Sequence, residues 1–354
     1  MLIKCDRIDA GSATPPCGCS ASHPRLSRRA LLGAAIALAA TPAPAQTAAE
    51  PIIDVHHHYT SPGLLAMMTG RRTGQGFNMA WTLQKSLDAM DAAGVATAIV
   101  STSDPGVFFG DYDAARGLAR DCNDYQARMV ADHKGRFGMF TTLPLPDIDN
   151  TLAEITYGMD VLRAQGVGMM TSYGTKYLGD PAFDPVMAEL DRRRAAVFVH
   201  PLQPACCTNA VSKVPDVVVE YATETARTIA SLLMNRTTIR YPNIRFIFSH
   251  GGGAVPYLTF RFNRMVSGDP ELMKAAPGGG VELIRRLYFD TAQAWNQYTL
   301  PSLLALMPED HILFGSDFPA ASPLDTANGL TAANIAPTTL NRIRATNAKS
   351  ILAS

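Results

Sequence analysis

The chain has 354 residues, 47% of them hydrophobic and 18% charged, a balance that supports a large core and excludes a mostly disordered chain. Lys and Arg total 31, as do Asp and Glu, so the net charge is +0, and the basic excess that phosphate binding needs is missing. Nucleic acid is therefore excluded as an expected partner, and six cysteines in a chain of this length do not make a disulfide framework.

The first segment reads as an address. Arg28 and Arg29 precede a short apolar stretch of Ala, Leu and Ile, and Ala43-Pro44-Ala45 supplies small residues for cleavage after Ala45. The paired arginines point to the twin-arginine route, so a periplasmic or secreted protein is expected. The apolar run is short of the roughly 20 residues that a membrane span requires, and no cysteine at the cleavage point offers a lipid anchor. Residues 1–45 are thus expected to be a signal peptide and 46–354 a single domain. Cys5, Cys17 and Cys19 would leave with the signal. Cys122, Cys206 and Cys207 would remain as reduced thiols, because a bridge between neighbours is strained.

After Ala45 short apolar runs recur at 52–56, 97–101, 137–145, 167–171, 197–201, 246–250, 287–292 and 312–317. They are rich in Val, Ile and Phe and apolar on both faces, as buried parallel strands are. Helical spacing lies between them. Leu83, Leu87, Met90 and Ala93 fall on one face and Gly94 closes the helix, while 185–194 and 217–233 read similarly. Strands alternating with helices in this number predict a (β/α)₈ barrel. A doubly wound sheet would show a glycine-rich turn after its first strand, where this chain has histidines.

In such a barrel the reactive side chains sit at the C-terminal ends of the strands. The first strand ends Asp54-Val55-His56-His57-His58. Alternation puts His56 and His58 on one side, where two imidazoles can chelate a divalent metal, and turns His57 away as a packing residue. His200, His250 and Asp317 fall at the tips of the fifth, sixth and eighth strands. Imidazoles and a carboxylate converging on one mouth suit a single zinc ion, or manganese with more oxygen ligands. His23 lies in the signal segment, His133 in a charged turn and His311 at the other end of the barrel, so none is expected in the site.

The motifs His56-x-His58, His200, His250-Gly-Gly-Gly and Gly315-Ser-Asp317-x-Pro319 resemble those of the amidohydrolase superfamily. They are most similar to its branch that includes aminocarboxymuconate-semialdehyde decarboxylase. The segments 103–107, 135–138, 142–146 and 177–181 resemble the 6-methylsalicylate decarboxylases of that branch. The resemblance covers the chain from about Pro51 onward. It implies that His56, His58, His200 and Asp317 bind the metal and that His250 is the catalytic acid/base beside it. The fourth strand tip, Met169-Met170-Thr171, lacks the lysine of binuclear members, so one metal is expected. Some decarboxylases of the branch carry a glutamate where this chain has Gly253. The resemblance also admits a homodimer.

The expected reaction is non-oxidative loss of CO₂ from a small, ortho-hydroxylated aromatic acid such as 6-methylsalicylate. The metal would orient the carboxylate and hydroxyl, and Asp317 or His250 would deliver a proton to the ring carbon. The same centre could instead serve a hydrolase, activating water against a lactone, ester or amide. A binding protein for metal or aromatic ligands would not need His250 at the sixth tip. Phe318, Trp81 and Tyr173 are candidate aromatic walls, and Arg71 or Arg72 candidate carboxylate partners; core or surface placement accounts for each equally well.

Overall fold

The apolar runs become strands that are buried along most of their length. A computed structural model describes residues 50–71, 76–208 and 210–352. The expected signal segment 1–45 and Arg72 lie outside the described residues. Eight strands, β1 (Ile52–His58), β2 (Val95–Ser101), β3 (Phe137–Thr142), β4 (Gly166–Met170), β5 (Ala196–His200), β6 (Arg245–Phe248), β7 (Tyr288–Asp290) and β8 (Ile312–Leu313), follow one another around a single sheet in chain order. Every pairing between neighbours in this sheet is parallel. The first and last strands close the ring: Val55 N–H donates to Phe314 O at 3.0 Å, Asp317 N–H to His56 O at 2.8 Å and His58 N–H to Phe318 O at 2.7 Å. This is the expected (β/α)₈ barrel.

Helices α1 (Leu83–Ala93), α2 (Tyr112–Asp132), α3 (Ile148–Thr156), α4 (Asp184–Arg192), α5 (Glu220–Met234), α6 (Val255–Ser267), α7 (Leu300–Leu306) and α8 (Pro323–Ala332) alternate with the strands. The boundaries of α1 follow from its ends. The Thr82 hydroxyl accepts from Lys85 N–H at the start, and Gly94 stops the helix at φ 70°. Among the described residues, no helix is long and apolar enough to cross a membrane.

Side chains pointing into the ring fill its floor. Phe140 and Phe198 stack with centroids 5.5 Å apart, and Val55, Ile99, Ile247 and Leu313 pack in the same cluster with Ile351 of the short helix Asn347–Leu352. The Phe198 ring lies edge-on beneath His56, with centroids 5.0 Å apart, so this packed layer supports the base of the site.

Several strands end sooner than the apolar runs suggest, the last three among them. β6 stops at Phe248, β7 at Asp290 and β8 at Leu313; beyond Leu313 single backbone hydrogen bonds between β1 and Phe314, Asp317 and Phe318 continue the pairing, while the chain turns to aim polar side chains at the barrel mouth. His250, Gln293 and Asp317 all have positive φ, of 56°, 55° and 67°. One thiol expectation is corrected. Cys206 and Cys207 form a disulfide in the segment between β5 and α5, while Cys122 is a free, buried thiol as expected.

Candidate active site

The strand tips converge as the barrel rule requires. On β1, alternation sends His56 and His58 to one side, with their Nε2 atoms 3.0 Å apart. His57 goes the other way. Its Nε2 lies 3.0 Å from Ser86 Oγ, its Nδ1 lies 3.2 Å from Asp54 Oδ2, and its ring stacks on Phe318 at 4.7 Å. Asp54 sets this strand end. It accepts from the backbone N–H of His56 at 3.1 Å, from that of Ser316 at 3.0 Å and from the Ser316 hydroxyl at 2.6 Å. That carboxylate therefore clamps β1 to the segment after β8.

His200 ends β5, and its Nδ1 donates to Pro201 O at 2.7 Å, which leaves Nε2 facing the cluster as an acceptor. Asp317 completes it. Its Oδ1 lies 3.1 Å from His56 Nε2, 3.3 Å from His58 Nε2 and 3.9 Å from His200 Nε2. His250 stands beside this group with Nε2 3.2 Å from Asp317 Oδ2. The glycines after His250 make that placement possible, since Gly251, Gly252 and Gly253 all have positive φ. A Cβ at Gly253 would collide with the Ala222 carbonyl oxygen, so a glutamate at this position does not fit without moving α5.

Asp290, at the tip of β7, was not among the expected residues. It is fully buried and accepts from His56 Nδ1 at 2.8 Å and from the His250 backbone N–H at 2.9 Å. The signal in the sequence is a carboxylate closing the run Leu287-Tyr288-Phe289-Asp290, where a charge has no reason to be buried unless it is paired.

Burial penalises charge on these groups. It holds the His200 imidazole well below the ordinary histidine value and lowers that of His58. At His56 burial acts in the same direction, but the Asp290 and Asp317 carboxylates outweigh it and push the pKa up to about 10. Burial also opposes the charge on Asp317, yet the His56 charge and the surrounding imidazoles hold its carboxyl well below the usual range. Ligand atoms of His56, His58, His200 and Asp317 all lie within 4.8 Å of one another, a donor set that fits one divalent metal ion.

Asp317 and His250 reach the wall of a cavity of about 500 Å³. Val217, Val218, Ala292 and Leu303 give it an apolar side, and Tyr221, Tyr257 and Tyr298 stand around it. These tyrosines replace the aromatic candidates from the sequence. Trp81 donates from its indole N–H to Ser86 Oγ at 2.9 Å, the Tyr173 hydroxyl accepts from Met170 N–H at 3.0 Å, and Phe318 packs on His57. The Arg71 guanidinium sits over the Phe109 ring at 5.1 Å. His311 is outside the site as expected, with Nδ1 donating to Leu287 O at 2.9 Å.

The Amidohydrolase family profile matches residues 53–353. A 6-methylsalicylic acid decarboxylase of Penicillium expansum is 36% identical over 275 residues, covering 76% of this chain and 85% of the relative. Decarboxylase yanB of Aspergillus niger is 36% identical over 292 residues, covering 78% of this chain and 79% of the relative. The dihydroxybenzoic acid decarboxylase of Polaromonas sp. JS666, solved with bound manganese and 2-nitroresorcinol, has a TM-score of 0.75 at 21% identity, covering 85% of this chain and 96% of that one. At that identity the solved structure shows the shared barrel alone. With the family profile spanning nearly the whole barrel and the strand tips carrying its motifs, the chain belongs to the amidohydrolase family.

Proposed function

We propose that the chain is a metal-dependent, non-oxidative decarboxylase of a small ortho-hydroxylated aromatic acid such as 6-methylsalicylate. The observation that carries this reading is the buried donor set beside His250 at the wall of an apolar cavity, in a chain 36% identical to a 6-methylsalicylic acid decarboxylase.

A divalent ion held by His56, His58, His200 and Asp317 would supply positive charge against which a carboxylate and adjacent hydroxyl can be oriented. The donor set favours zinc; manganese, which the Polaromonas relative holds, is the alternative. The chain's own residues do the rest. Asp290 fixes the His56 ring through Nδ1, so that Nε2 faces the cluster. Val217, Val218, Ala292 and Leu303 line the cavity with apolar surface against which the aromatic ring would pack. His250, in contact with Asp317 and exposed to the cavity, delivers the proton to the ring carbon that loses CO₂. The balance is one carboxylate and one proton in, one CO₂ and one C–H bond out.

Incubating metal-loaded protein with a panel of ortho-hydroxybenzoates tests the reading. Equal amounts of CO₂ and phenol, abolished by a chelator, are expected; from 6-methylsalicylate the phenol is 3-methylphenol. Cleavage of lactone or ester substrates with no CO₂ from any acid would make the protein a hydrolase on the same residues.

A further inference from the structure

Asp317 presents its two oxygens to different surroundings. Oδ1 faces the imidazole nitrogens of His56 and His58, at 3.1 and 3.3 Å. Oδ2 faces His250 Nε2 at 3.2 Å and Gln293 Nε2 at 2.7 Å. A carboxylate on a single methylene turns readily, and either oxygen can serve as a ligand. Of the two groups on Oδ2, the Gln293 amide makes the shorter contact. Its orientation follows from chemistry, because an ionised carboxylate only accepts and the amide NH₂ only donates.

Gln293 holds this position against its own backbone. It stands three residues beyond Asp290 with φ 55°, in the left-handed region that glycine and asparagine enter most easily. Nothing in the turn demands a long side chain there, since Gln293 borders the cavity and is exposed. In that conformation its side-chain amide reaches Asp317 Oδ2, while its backbone carbonyl accepts from Asn296 Nδ2 at 3.1 Å. Strain of this kind persists where the surroundings enforce it, and His250 and Asp317, at φ 56° and 67°, share it at the same point.

We infer that Gln293 is a positioning residue: its amide anchors Asp317 Oδ2 and so directs Oδ1 toward the metal site. The inference rests on the reading of Asp317 as a metal ligand. It does not depend on which reaction the centre carries out.

The test uses the full chain stripped with a chelator and titrated with Mn²⁺ alone. Gln293→Gly removes both the amide and the backbone strain; Gln293→Met removes the amide and keeps the side-chain length. Both are expected to bind Mn²⁺ about tenfold or more weakly, the usual effect of losing a group that orients a ligand. The metal-free melting temperature of Gln293→Gly should equal or exceed that of the wild type. With 6-methylsalicylate, kcat should fall while KM changes little. Wild-type Mn²⁺ affinity in both variants would overturn the inference. So would weaker binding matched by a lower metal-free melting temperature in both, which would mark a structural role. If Gln293→Gly does not fold, the affinity and melting of Gln293→Met decide the matter. Failure of the decarboxylase reading would show as no CO₂ from wild type and would leave the Mn²⁺ result standing.

Discussion

Asp290 ties His56 to His250: its Oδ2 accepts from His56 Nδ1 at 2.8 Å and its Oδ1 from the His250 backbone N–H at 2.9 Å. A metal-ligating imidazole whose other nitrogen is so fixed has a defined tautomer and ring angle. Replacing Asp290 with Asn keeps the shape and loses the charge. Metal affinity is expected to fall about 10- to 100-fold, read by competition with a chelating dye. Unchanged affinity would show that the His56 ring is held well enough by packing on Phe198.

His250 contacts Asp317 through Oδ2, the oxygen turned away from the imidazole cluster. The His250→Ala variant should therefore retain one metal per chain while turnover drops by about 10²- to 10⁴-fold, the usual contribution of general acid catalysis. Metal analysis on the purified variant separates the roles. Parallel loss of metal and activity would place His250 among the ligands.

His57 is a structural residue between Asp54, Ser86 and Phe318. The His57→Asn change should leave metal content nearly intact and lower stability by about 1–3 kcal/mol, the cost of leaving buried polar partners unpaired. Denaturant unfolding and metal analysis on one preparation give both numbers. A metal-free product would mean that β1 presents its other face to the site.

The strand tips were legible because the barrel rule and the period of two act together. Once 52–56 was read as a strand, His56 and His58 had to share a face, and they do. Asp317 and His250 were legible by position, though the strands leading to them are shorter than their apolar runs. Past Leu313, Phe314 is fully buried and its carbonyl still accepts from Val55 N–H, but the residues after it turn to bring Asp317 into the site, and hydropathy does not mark where a regular ladder ends. Asp54, Asp290 and Gln293 are not legible from spacing for another reason. Each acts through a neighbour rather than on a ligand, and pairing with a residue far along the chain leaves no local spacing to read. Asp54 meets Ser316, 262 residues away. The tyrosines around the cavity come from the first turns of α5 and α6 and from the segment before α7, where the barrel-tip rule for strands does not say which side chain faces in.

We propose that the chain is exported by the twin-arginine route, on the strength of Arg28, Arg29 and the small residues before Gln46. The expected outcome in a bacterial host is a periplasmic protein whose first residue is Gln46, read by N-terminal sequencing. Replacing both arginines with lysine should retain the precursor in the cytoplasm. A precursor that is exported and processed regardless of that change would point to the general secretion route.

The central claim is that one divalent ion on His56, His58, His200 and Asp317 supports decarboxylation. It is tested most directly by titrating metal into the stripped chain while CO₂ release from 6-methylsalicylate is followed. The account predicts no CO₂ from the stripped protein, a linear rise with added metal, a plateau at one equivalent per chain, and 3-methylphenol in equal amount. Full turnover without metal, or substrate consumed with no CO₂, would contradict it.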